Sequence, residues 1–284
     1  MTTTRTIAQI ESATNEKVGD FNIKNVLPVR NLKQVDPFLL IHHMSPFDLK
    51  PGAETRLPPH PHAGFEVMTY LLDGEFFHRD SKGHHQVAKA GDVNWMSSGA
   101  GIIHSEGPAD DLLKTGGIVQ LLQLWINLPA DKKHATPSFR HYAAENLPVI
   151  EKGGTWCKVL IGQYQGKTSP VLTQTPIFLF HIKIRKGERI NLPVNDNYTA
   201  AVYIMQGSIK VLNTQPAAGE LVNFNIDGNQ LVCTATEDAE LLFLGGEPIK
   251  EKVVSYGPFV MNSFEEIQLA ITAYETGKMG VLEY

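Results

Sequence analysis

Apolar and polar residues alternate with a period of two along much of this chain, the spacing of strands that bury one face. FNIKNVLPV, from Phe21, alternates as an edge or half-buried strand. A short strand is expected near Thr6–Ile10, and Phe38–Ile41 follows the Asp36-Pro37 turn signal as a short buried strand. Glu66–Leu72 carries the strand formers Val67, Thr69 and Tyr70 and ends at Asp73-Gly74. That dipeptide is a strong hairpin signal, so Glu75–His78 is predicted to return beside it. Ala90–Trp95 and Ile118–Leu128 continue the series. Pro129 to Pro148 is polar, with three prolines and the basic pair Lys132 and Lys133, and reads as a linker.

Beyond the linker, Trp156–Gly162 opens a second copy of the pattern. Residues 184–211 repeat the turn-strand-turn order, and AAGELVNFN (217–225) mirrors AKAGDVNWM (88–96). A helical period is clear at the C-terminus. Ser263 is an N-cap with Glu266 three residues later, and Gly277 supplies the stop. Ile267, Ala270, Ile271 and Tyr274 form one apolar stripe, expected to pack onto a barrel. The pattern predicts an all-β chain of two barrels with a short C-terminal helix, divided into residues 1–135 and 136–284.

Two stretches of the first copy carry the candidate chemistry. LPPHPHAGFEVMTYLLDGEF (57–76) holds His60 and His62, and AGDVNWMSSGAGIIHSEGP (90–108) holds His104 and Glu106. Residues i and i+2 of a strand share a face, so neighbouring strands could converge all four on one point. Three imidazoles and a carboxylate suit a divalent transition metal and leave open positions on an octahedral ion. Strand parity leaves Glu66 as an alternative fourth ligand, since it lies an even number of residues from both histidines; only a bulge would turn it away. His42 and His43 have no partner at ligand spacing and read as a polar pair on the rim. His78, Arg79 and Asp80 fit a charged sheet face, and His84 and His85 read as solvent-exposed at a loop tip. Gln120 and Gln123 fall within an apolar strand, where each must find a hydrogen-bond partner; either could orient a ligand or substrate, or be a satisfied core amide. The second copy offers Val194, Asn195 and Asp196 where His60 and His62 would recur, and no histidine follows Gly219. His181 alone cannot hold a metal. This copy is expected to be metal-free, kept for packing, for closing the first barrel's mouth or for binding partners.

Composition narrows the functional classes. A formal net charge of −5 and a pI near 6.1 give no basic footprint for nucleic acid. No apolar run is long enough to span a bilayer, and the first twenty residues lack the apolar core of a secretory signal, so a cytoplasmic protein is expected, or a nuclear one in a eukaryote. Cys157 and Cys233, far apart in sequence, read as buried free thiols.

The motifs also carry a family resemblance. His60, His62, Glu66 and Gly74 follow the first cupin motif, and Gly101 and His104 follow the second. HPHAGFEVMTYLLDGEFFHRDS (60–81), GDVNWMSSGAGIIHSE (91–106), LQLWINLP (122–129), GPFVMNSFEEIQLAITAYETGKMG (257–280) and the opening DPFLLIHHMSPFDL (36–49) resemble the pirin family, from about residue 20 to the C-terminus. The resemblance implies a jelly-roll bicupin whose N-terminal barrel holds a metal, usually iron as Fe(II). It implies His60, His62, His104 and Glu106 as the ligands, with Glu66 orienting a ligand or facing substrate. Manganese, nickel, copper, cobalt and zinc remain chemically compatible. It further implies quercetin 2,3-dioxygenase-type cleavage of a flavonol by O2, with Glu106 able to accept the flavonol hydroxyl proton. The alternative it implies is an iron-containing, redox-sensitive regulatory protein that binds a transcription or metabolic partner without turnover. His42 and His43 depart from the family, which often carries acidic residues there.

Overall fold

The computed structural model describes residues 2–283, and strands dominate it. In chain order the first half comprises β1 (Ile7–Ser12), β2 (Thr14–Val18), β3 (Phe21–Leu27), β4 (Phe38–Leu49), β5 (Leu57–His62), β6 (Phe65–Asp73), β7 (Glu75–Asp80), β8 (His85–Lys89), β9 (Val93–Ser97), β10 (Ile102–Pro108), a short helix α1 (Asp110–Thr115), β11 (Gly117–Asn127) and β12 (Ser138–Tyr142). The one longer helix, α2, is Phe264–Glu275. Among the described residues, no helix is long and apolar enough to cross a membrane.

The chain forms two compact units, and neither is a continuous stretch. The histidine-bearing unit comprises residues 15–24, 40–144 and 249 onward; the other comprises residues up to 14, 25–39 and 145–248. The single cut expected at 135/136 therefore differs from this division at both termini and at the join. The reasons are local. β12 pairs with β9 in register Ser138↔Ser97 through Tyr142↔Val93, which draws most of the expected linker into the first jelly roll. β1 pairs with Glu220–Phe224 of the later unit. β4 is also longer than the buried stub expected from Phe38–Ile41, continuing to Leu49.

In the histidine-bearing unit, a seven-stranded sheet of order β12-β9-β6-β11-β4-β3-β2 accompanies a four-stranded sheet of order β5-β10-β7-β8. This is a jelly roll of two sheets. The core between them includes Phe21, Met44, Leu71, Phe76 and Leu121. α2 begins as predicted: the Ser263 hydroxyl accepts from the Glu266 N–H at 3.2 Å, and the Glu266 carboxylate accepts from the Asn262 N–H at 3.0 Å. Ile267 and Ala270 bury against Ala63, Ile103, Phe259, Met261 and Met279, whereas Tyr274 is exposed. The helix is thus seated against the residue after His62 and the residue before His104.

The other unit repeats the plan, with a seven-stranded sheet and a three-stranded sheet of Arg189–Pro193, Gln230–Ala235 and Ile209–Lys210. Where a second metal pair would recur, buried Arg5 donates to the carbonyls of Asn195 (2.8 Å), Tyr198 (2.6 Å) and Gly228 (2.8 Å). His181 bonds Glu240 at 2.7 Å. Cys157 and Cys233 are free thiols buried in this unit's core.

Candidate metal centre

Cross-strand register brings the histidines together. β10 lies between β5 and β7, with His104 directly opposite His60 on one side and Asp80 on the other. Ile102 pairs with His62. The register slips between His104 and Glu106, because β5 places one extra residue in its Leu57–His60 segment. Pro58 and Pro59 occupy that irregularity, where a missing backbone N–H costs least. The rings of His60, His62 and His104 then stand 4.4–4.9 Å apart, centre to centre. Their ligand nitrogens all lie within 4.8 Å of one another.

Hydrogen bonding selects which nitrogen faces the centre. His60 Nδ1–H donates to the Pro58 carbonyl at 2.8 Å, and His62 Nδ1–H donates to the Pro258 carbonyl at 3.4 Å. His104 Nδ1 meets His78 Nδ1 at 3.4 Å, while its Nε2 is buried without a hydrogen-bond partner. A buried ring nitrogen with nothing to bond is costly in protein alone, and a metal ion would satisfy it. Burial, reinforced by the neighbouring His60, pushes the His62 imidazole down to about 3. Burial with the same crowding pushes His104 well below the ordinary histidine range. Both are therefore neutral near pH 7, the form that coordinates a metal. The donor set fits a divalent transition ion.

Glu106 lies beyond this three-histidine cluster but on the same strand face as His104. It is buried, and its Oε1 accepts from Gln123 Nε2 at 2.7 Å. Of the two readings open for Gln123, orienting a candidate ligand is the one its contact supports. Glu66 is positioned differently. The Ala63-Gly64 turn separates β5 from β6, so the parity count from His62 does not carry across it; Gly64 has φ +87°, and an added Cβ would meet the Val260 carbonyl at 1.9 Å. Val67 and Thr69 line the interior with His104 and Glu106, whereas Glu66, of opposite parity on β6, accepts from Trp95 Nε1 at 3.1 Å.

The adjacent histidines His42 and His43 divide. His43 is buried against Gln120, with 2.9 Å between Nε2 atoms, which gives the half-buried Gln120 its hydrogen-bond partner. His42 lines a 30 Å³ chamber together with Glu106, Gln123, Phe21, Met44, Leu57 and Phe76, so it belongs to the interior beside the site and not only to a rim.

Several contributors were not legible in the motifs. His78 and Asp80, expected on a charged face, are buried and point inward with Phe76; the i, i+2 period that singled out His60 and His62 applies equally to them. Pro258 supplies the acceptor for His62 from the far end of the chain. Lys133, read as half of a basic linker pair, is fully buried and donates to Gly64 O, Asn127 Oδ1 and Val260 O at 2.8, 2.7 and 3.2 Å.

Two jelly rolls, one of them carrying a three-histidine cluster in which His62 and His104 are buried and His60 half-buried, define a bicupin with an N-terminal site that could hold a metal. Family models for pirin and for the pirin C-terminal cupin domain match residues 20–126 and 179–280. Pirin-1 of Arabidopsis thaliana is 38% identical over 272 residues, covering 93% of this chain and 91% of that protein. The chain belongs to the pirin family. Among solved structures, quercetin 2,3-dioxygenase of Acinetobacter baumannii superposes with a TM-score of 0.94 at 30% identity, covering 99% of this chain and 100% of its own. The bacterial pirin YhhW of Escherichia coli, solved in complex with nickel(II), shares the fold with a TM-score of 0.65 at 17% identity, over 84% of this chain and 100% of its own.

Proposed function

We propose that the protein is a metal-dependent dioxygenase of the quercetin 2,3-dioxygenase type, cleaving a flavonol with O2. The observation that carries this reading is the convergence of three imidazoles whose Nδ1 atoms are already engaged, beside a buried carboxylate. His60, His62 and His104 would hold the ion through Nε2, with Glu106 as fourth ligand. Fe(II) is the proposed ion, and Mn, Ni, Cu, Co and Zn are its competitors. When bound, the ion supplies open positions for an organic oxygen donor and dioxygen. Gln123 donates to Glu106 Oε1, which leaves Oε2 as the oxygen that would face the ion, and the same carboxylate, were it to leave the ion, could accept the flavonol hydroxyl proton. Phe21, Met44, Leu57 and Phe76 line the space beside Glu106 with apolar surface, of the kind an aromatic substrate would meet once that space widens. The likeness to the Acinetobacter enzyme supports the same assignment.

One observation favours a second reading, a redox-sensitive regulatory protein that binds a protein partner without turnover. The chamber beside Glu106 is only 30 Å³, near the size of one water, so a flavonol enters only if the walls move. Quercetin turnover by iron-loaded protein, with and without oxygen, separates the two. Turnover that requires O2 supports the dioxygenase. No turnover, with partner affinity that differs between ferrous and ferric protein, supports the regulator. Oxygen-independent loss of quercetin contradicts the dioxygenase.

A further inference from the structure

Behind His104 lies a chain of buried polar side chains that neither functional reading uses. Asp80 Oδ2 accepts from His78 Nε2–H at 3.0 Å, and the Asp80 carboxylate also receives the backbone N–H of Lys82 at 2.9 Å and of His84 at 3.2 Å. His84 Nδ1 donates to the same carboxylate at 2.9 Å. Asp80 is buried; desolvation raises its pKa, but the bonds from His78, Lys82 and His84 outweigh it and hold the carboxyl below its usual range. His78 is equally fixed. Its ring stacks on Phe139 at 4.1 Å with an interplanar angle of 8°, which fixes the ring plane, while the bond to Asp80 selects the edge that faces the carboxylate.

These contacts determine tautomers in sequence. A carboxylate accepts and cannot donate, so the nitrogen facing it, His78 Nε2, carries the proton. With its Nε2 proton committed to Asp80, His78 offers Nδ1 as the acceptor in the contact with His104, since two facing ring nitrogens bond only when one carries the proton and the other the lone pair. His104 Nδ1, at 3.4 Å, meets that lone pair and must carry its own proton. The lone pair of His104 consequently lies on Nε2, the atom with no protein partner. His60 and His62 reach the same state by bonding backbone carbonyls, which always accept. His104 instead depends on a side-chain relay.

We propose that Asp80, acting through His78, is a positioning residue that locks His104 in the Nδ1–H tautomer and so presents Nε2 to the metal. The relay rests on the metal-centre reading only for its purpose; the tautomer it fixes exists in the metal-free protein. Asp80→Asn discriminates sharply. The Asn carbonyl oxygen can keep the backbone N–H groups of Lys82 and His84, which turns the amide N–H toward His78 Nε2. His78 would then move its proton to Nδ1, and His104 would respond by protonating Nε2, the wrong state for coordination.

The experiment is ¹⁵N NMR of imidazole tautomers in metal-free protein at pH 8, with Ni(II) affinity measured by chelator competition as the second readout. The expected result is His78 as Nε2–H and His104 as Nδ1–H in wild type. In Asp80→Asn, His104 shifts toward Nε2–H and Ni(II) binds about 10- to 100-fold more weakly. Loss of packing alone would not invert a tautomer. Wild-type His104 in the Nε2–H form overturns the proposal, as does an Asp80→Asn protein with tautomer and affinity both unchanged. Should Asp80→Asn fail to fold, the wild-type spectrum alone decides. Absence of Ni(II) binding in a wild-type protein with the expected tautomers would count against the metal reading and leave the relay standing.

Discussion

Gln123 donates from Nε2 to Glu106 Oε1 across 2.7 Å, joining β11 to β10, the strand that carries His104. The bond gives a buried carboxylate a fixed direction. Replacing Gln123 with Leu should leave Glu106 free to rotate and lower metal affinity by about tenfold or more, the usual penalty for losing a partner behind a ligand. Chelator competition with Ni(II) measures this, and unchanged affinity would argue that Glu106 does not reach the ion.

Lys133 should matter more for folding than its place beside Lys132 in the sequence indicates. Its ammonium satisfies three acceptors on segments otherwise distant in the chain, and burial pushes its pKa down to about 8. Lys133→Met should cost about 3 kcal/mol in urea denaturation, since it strands buried oxygens of Gly64, Asn127 and Val260. A loss below about 0.5 kcal/mol would mean that the segments hold without it.

Metal-free protein should be acid-sensitive before its carboxylates titrate. His62 is held down to about 3 by burial, then by His60, against the smaller upward pull of the Pro258 carbonyl. The unfolded chain takes up a proton near pH 6.5 that the folded chain refuses until about pH 3. Unfolding therefore binds protons, and stability falls as pH falls through that window, by about 1.4 kcal/mol per unit for each such histidine. His104 adds in the same direction. Urea denaturation of apo protein at pH 7, 6 and 5 checks the slope, and His62→Gln should reduce it. A slope shared by wild type and variant would place the acid sensitivity elsewhere.

The two cysteines should be silent toward thiol reagents. Burial pushes both Cys157 and Cys233 up to about 12, leaving almost no thiolate at pH 8 as well as no access. Ellman's reagent should detect no thiol in native protein and both in denatured protein. Prompt reaction of the native chain would contradict the packing of this core.

The sequence made the strands and the ligand pairs legible because both rest on short-range periodicity. His60, His62 and His104, singled out by i, i+2 spacing, stand together in one cluster, and the cap at Ser263 is read from its four-residue pattern. What escaped depends on partners distant along the chain. The exchange of termini between the units follows from pairings such as Ile7↔Phe224 and Ala63↔Phe259, which no local window contains. Charged residues misled for a different reason. His78, Asp80 and Lys133 look solvent-facing by type, and only their mutual satisfaction in the interior makes burial affordable. His42 escaped because lining a chamber requires no partner at a fixed spacing.

Metal analysis of the purified wild type beside His62→Ala and His104→Ala bears most directly on the three-histidine pocket. The predicted result is about one transition-metal ion per chain in wild type, lost in both variants while each keeps its β-sheet circular dichroism. A folded wild-type protein that takes up no iron or nickel, or variants that retain the full complement, would contradict the assignment of His60, His62 and His104 as a metal centre.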